Sequence, residues 1–270
     1  MNSLASVSRQ RNRYSKPTLT SKPIYSKPFI MSFEQQNMLK GITWHLFFQM
    51  CLLLVIVFIG HRYFPTSYCL FVCRPPWIGI ILYFVLAIFL LMGSLGILFP
   101  KPADPIHIFL RILSFYGIGV LLSYVMLLTY NITMKESKTA SDKHWTQTAF
   151  YIALGITIVF FGFLVLFLPF LIKNLKLLGM LTSIFFFVLL ALIIMILFID
   201  IDKHQKLWTF YLILSLIIFV VFSMYDLALV ISRCKKPGTL ECRSEVGATS
   251  IYIDLINVFQ KLFLLLSNQH

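Results

Sequence analysis

Seven times along this chain of 270 residues the sequence stays apolar for about 20 residues, the length at which a helix crosses the hydrocarbon core of a bilayer. The runs lie at roughly 42–60, 77–99, 106–130, 147–171, 175–199, 207–231 and 248–266. Composition closes off the alternatives. Hydrophobic residues make up 59% of the chain and charged residues 12%, against about 45–50% and about 25% in soluble domains. Too little polar surface remains to coat a water-soluble globule, and the chain is far too apolar to stay disordered. The expected fold class is an all-α, polytopic membrane protein with seven transmembrane helices.

The breaks between runs have physical causes. Pro65, Pro75 and Pro76 separate the first two, and Pro100, Pro102 and Pro105 the next two. Lys173, Asn174 and Lys176 leave a very short link between the fourth and fifth. The loop from Asn131 to Trp145 is long. Trp44, Trp77, Trp145 and Trp208 sit at run edges, where an indole keeps its N–H at the headgroup level. The seventh run is among the shortest and carries Asp254, Asn257 and Lys261.

The net charge of +13 does not point to nucleic acid, because the basic residues fall between the apolar runs and form no stripe interleaved with aromatics. They set orientation instead. Arg9, Arg11, Arg13, Lys16, Lys22, Lys27 and Lys40 precede the first span. Placed with them are Lys101, Lys173, Lys176, Arg233, Lys235, Lys236 and Arg243, twice as many as the opposite side receives. The positive-inside rule puts the N-terminus in the cytosol. That orientation places the sequon Asn131-Ile132-Thr133, a candidate glycosylation site, on the lumenal side. Residues 1–33 repeat Ser-Lys-Pro three times, from Ser15, Ser21 and Ser26. They read as a disordered, basic, Pro-rich cytosolic tail, and residues 34–270 as the transmembrane domain.

The five cysteines do not make a disulfide framework. Cys69 and Cys73 share one loop and Cys234 and Cys242 another, without zinc-site spacing. The six histidines include no pair at metal-ligand spacing, and neither G-x-S-x-G nor H-E-x-x-H occurs. No enzyme, no metal site and no cofactor is expected. A cytosolic N-terminus and the lack of receptor motifs also argue against a seven-helix receptor.

Of the ten acidic residues, only Asp226 and Asp254 lie well inside apolar runs. An acid there costs on the order of 2.5–3.5 kcal/mol on the insertion scale and marks a functional candidate. Asp226 lies about 7–8 Å inside the cytosolic boundary of the sixth span and Asp254 about 9 Å inside that of the seventh, at 1.5 Å per residue. Two antiparallel helices thus carry carboxylates at one level. Facing each other, these resist ionising together, can share a proton, and can attract a cation. Arg111, five residues into the third span, either snorkels to the interface or serves as their counter-ion. Asp200 and Asp202 read as a solvated loop end. Gly93, Gly96, Gly117, Gly119, Gly155 and Gly162 read as sites of close helix contact.

Met224-Tyr225-Asp226, together with the stretch from Glu245-Val246-Gly247-Ala248 through Tyr252-Ile253-Asp254-Leu255-Ile256-Asn257 to Phe259, resembles the Bax inhibitor-1, or TMBIM, family. The likeness is closest to its lifeguard branch, as a divergent member of cellular or viral origin. Ala153-Leu154-Gly155-Ile156-Thr157 is similar to a further family segment. The resemblance implies a Bax inhibitor-1-like bundle with the last helix surrounded by the others. It implies residence in the endoplasmic reticulum or Golgi, or in the plasma membrane, and a calcium leak that restrains apoptosis. It also implies that Asp226 and Asp254 form a pH-sensing latch on the ion path, with Ca2+ as cargo. Two departures stand out. Leu227-Ala228 follow the sixth-span Asp where the family often has Thr-Gln, and Trp145-Thr146-Gln147-Thr148 lacks the family's acid before the fourth span. The alternative is a non-conducting membrane protein that binds other apoptosis-regulating membrane proteins. In either case lipid is a partner.

Overall fold

The computed structural model describes residues 31–63, 76–137, 139–198 and 205–268. The basic tail, Cys69, Cys73, Asp200, Asp202 and the Trp77 side chain lie outside what it describes. Helices form wherever the sequence is apolar and unbroken: α1 (Phe33–Tyr63), α2 (Pro76–Ser94), α3 (Pro105–Glu136), α4 (Ala140–Leu166), α5 (Leu168–Lys173), α6 (Leu175–Phe198), α7 (Gln205–Arg233) and α8 (Ser244–Ser267). A 3-10 turn, Leu240–Cys242, sits between α7 and α8. Among the described residues six helices are long and apolar enough to cross a membrane, namely α1, α3, α4, α6, α7 and α8. The stretch Tyr83–Ser94 of α2 is apolar but shorter. The chain is an all-α polytopic membrane protein.

Helix ends follow local chemistry. Asp104 caps α3 by accepting from the Ile106 N–H at 3.0 Å, with Pro105 in the first turn. Thr139 and Asp142 form a reciprocal capping box that opens α4. The stretch expected to be a long loop after Asn131 is therefore mostly helical. α3 runs on to Glu136 and α4 begins at Ala140. The fourth apolar run is split into α4 and α5 because Pro169, near the start of α5, has no N–H to continue the helix. α2 stops at Ser94, before the expected end of its run. The chain turns there through Gly96, whose φ of 78° favours glycine.

α8 occupies the centre, packed against α7, α4, α1 and α3. It is the least hydropathic of the six spans and the most buried. The two facts belong together, since a helix lined by protein need not be apolar on every face. An aromatic cluster fastens it to α3 and α4. Phe150 lies 5.0 Å from Phe259 and 5.7 Å from Phe263, and Tyr130 lies 5.4 Å from Phe150. Trp145 ties the base of α4 to the end of α8 by donating to the Leu266 carbonyl at 2.9 Å.

Two expectations need correction. Cys234 and Cys242 are joined by a disulfide, because the 3-10 turn folds Cys242 back onto the end of α7. Gly155 and Gly162 are not contact points, since a Cβ at either would meet nothing within 4 Å. The close approaches occur at Gly93, Gly96, Gly117 and Gly119 as expected, and also at Gly41, Gly60 and Gly247.

Candidate functional site

Asp226 lies seven residues before the end of α7, and Asp254 lies mid-way along α8. The two helices pack antiparallel through a long shared face. Across it the carboxylates come close enough for their charges to interact. They are not equivalent. Asp226 is half-buried, lies near the Ser250 hydroxyl, which donates to the Gly247 carbonyl at 3.4 Å, and feels the charge of Arg233. It lines a cavity of about 370 Å³ together with Arg233, Glu241 and Ser250. Asp254 is deeper, 7% exposed, and its Oδ2 has no hydrogen-bond partner. A carboxylate buried with a free oxygen beside a second acid is a place where a proton or a cation would be taken up.

The cavity opens where α7 ends and α8 begins, at the end of the bundle that carries most of the basic residues. Met38, Leu95, Leu229 and Val230 form its apolar wall, and the stapled 3-10 turn contributes Leu240 and Glu241 to its rim. Glu241 is thus a third acid near Asp226, which its position outside the apolar runs did not suggest.

Arg111 neither snorkels nor faces the aspartates. It is completely buried, and its Nε donates to Glu245 Oε1 at 3.1 Å. Its Nη1 donates to the carbonyls of Phe99 at 2.8 Å and Lys101 at 3.1 Å. Arg243, at the start of α8, donates to the Pro102 carbonyl. The two arginines clamp the α2–α3 link to the head of α8. Glu245, 4% exposed, is the counter-ion that sequence reasoning missed, because it stands at the edge of its apolar run and looked solvated. The available signal was the matching position of Arg111, close to the same end of its own span.

Asn131 lies inside α3, 7% exposed. Its Oδ1 is 2.6 Å from His61 Nδ1 on α1, and Thr133 is turned back to donate to the Thr129 carbonyl. The sequon thus lies within a helix, with the amide oxygen of Asn131 engaged by His61.

A family model described as inhibitor of apoptosis-promoting Bax1 matches residues 35–270. No curated protein and no solved structure matches the chain.

Proposed function

We propose, from the premise that this chain belongs to the Bax1-I family of inhibitors of apoptosis-promoting Bax1, that it is a seven-span, pH-sensitive cation leak of an intracellular membrane. Family membership makes it an apoptosis-modulating integral membrane protein. The finer reading rests on one observation: Asp226 and Asp254 interact across the α7–α8 interface, one lining a cavity and the other buried with a free oxygen. In the proposed cycle a proton shared by the pair holds α7 against α8. Its loss leaves two like charges in a medium of low dielectric, which repel and draw in a cation. Calcium leaving an endoplasmic reticulum or Golgi store through this route lowers the stored pool and so dampens death signalling. The seventh span is α2, and the N-terminus lies in the cytosol, as the basic residues indicate.

The test is calcium release from proteoliposomes as a function of pH, with Asp226→Asn and Asp254→Asn beside the wild type. Each substitution is expected to change the leak rate and flatten its pH dependence. Wild-type leak and pH profile in both variants would refute the latch.

The departure at Leu227-Ala228 favours a second reading, an adaptor that binds other membrane proteins without conducting. Removal of residues 1–33 separates the two. An adaptor that docks through its tail loses its protective effect, whereas a leak keeps conducting.

A further inference from the structure

A second row of polar side chains runs through the bundle on the opposite face of α8 from Asp254. Tyr252 is only two residues away, but its ring turns toward α3, 6.3 Å from Phe115. At one end of the row stands Glu245, paired with Arg111. Its charge reaches His45 on α1, which lies 3.3 Å from the Tyr116 hydroxyl. One turn further along α1, Gln49 is fully buried. Its Nε2 donates to the Phe115 carbonyl at 2.9 Å, while its Oε1 has no partner. Gly119 makes the space for this amide, because a Cβ there would fall 2.0 Å from Gln49 Oε1. One turn below Gly119 comes Ser123, which approaches Tyr252 across the α3–α8 interface. Both hydroxyls are completely buried and neither completes a hydrogen bond. The row continues through Gln260, 3.5 Å from the Thr129 hydroxyl. It ends at His61 and Asn131, with the Tyr130 ring 5.1 Å from His61.

From Arg111 to Asn131, α3 rises about 30 Å, which is about the thickness of the hydrocarbon core. Polar groups left unpaired at that depth are costly unless water completes them, and a buried water settles where two to four polar partners converge. We propose that this seam between α1, α3 and α8 is a proton path separate from the aspartate pair, with water held by Gln49, Ser123 and Tyr252 at its centre. Its chemistry suits a proton and no other ion. The central groups are neutral, so a dehydrated metal cation meets no compensating charge. A hydroxyl or a water can accept a proton on one side and release one on the other with no net change. The imidazoles of His45 at one end and His61 at the other are the groups that load and unload it. Arg111, held by Glu245, is the fixed positive charge beside it, and Tyr116 and Tyr130 are the phenols that flank the two histidines.

Proteoliposomes loaded with a pH dye or, separately, with a calcium dye test this. The wild type is expected to pass protons down a pH gradient. Gln49→Leu and the double variant Ser123→Ala, Tyr252→Phe are expected to lose that flux while keeping the calcium leak. Asp226→Asn is expected to do the reverse, so failure of the calcium reading and failure of the seam are told apart. A wild type that passes no protons, or proton flux unchanged in both seam variants, overturns the proposal. Radiolytic hydroxyl footprinting of the wild type is independent of any variant's folding. Tyr252 is expected to be modified by radicals born from adjacent water, despite having no exposed surface, whereas Phe263, equally buried, is not. An unmodified Tyr252 overturns the hydrated centre.

Discussion

A guanidinium with no contact to solvent keeps its charge only if the fold compensates it, and Arg111 is compensated at Nε by one carboxylate and at Nη1 by two carbonyls, while its Nη2 has no partner. Removing one member of such a pair leaves the other as an uncompensated buried charge, which costs about 3–5 kcal/mol, whereas replacing both with apolar groups of similar volume is often neutral. Glu245→Ala is therefore expected to lower the thermal unfolding midpoint in detergent sharply. Arg111→Met combined with Glu245→Leu is expected to recover most of the loss. A double variant as unstable as the single one would show that the pair is needed for more than charge balance. Asn131 makes a simpler prediction at the same scale. Its amide is committed to His61 within a helix, so the expressed protein is expected to show no mobility shift on endoglycosidase treatment.

The behaviour of α8 depends on how closely its neighbours approach it. At Gly247 a Cβ would come within 2.6 Å of Val230 on α7 and 3.0 Å of Met38 on α1. Even a methyl group there drives both helices outward. Gly247→Ala is expected to destabilise by about 1–3 kcal/mol, the usual cost of overpacking a filled core. Gly155 on α4 provides the contrast. Nothing lies within 4 Å of its missing side chain, and alanine removes backbone freedom from a helix interior. Gly155→Ala is expected to stabilise by about 0.5–1 kcal/mol. Thermal denaturation of the two variants side by side checks whether α8 is the tightly seated element and α4 the loose one at these positions. Both glycines look alike in the sequence. Only the packing of α8 against α7 and α1 separates them.

For the whole molecule, two features make opposing demands on the loop between α7 and α8. In the proposed orientation, drawn from the distribution of Lys and Arg, it lies in the cytosol with the N-terminus, where thiols are kept reduced. The fold brings Cys234 and Cys242 to a Cα separation of 4.6 Å and bonds them, within the range a bridge needs. Both statements hold if the fold, not the bridge, sets the spacing. The two thiols are then expected to be free in cells and to close on mild oxidation without rearrangement. Mass-tagging with maleimide in intact and permeabilised cells, with and without oxidant, reads this directly. A bridge already complete in untreated cells would put the loop, and the Asp226 cavity with it, on the oxidising side, and would reverse the orientation.

The membrane class, the approximate positions of six spans and the presence of two deep acids were legible in the sequence, because length and hydropathy are one-dimensional properties and a carboxylate in an apolar run stands out against its neighbours. The helix faces were not legible. In a soluble helix the apolar stripe marks the buried side, but here lipid and core are both apolar, and rotation about each axis leaves almost no trace in the pattern. That rotation gave Arg111 to Glu245 and not to the aspartates. It also turned Asn131 inward onto His61, and it sent Tyr252 and Asp254, two residues apart, to different neighbours. The sequence determined what crosses the bilayer. Tertiary packing alone decided which polar groups meet inside it, since their partners come from helices far apart along the chain.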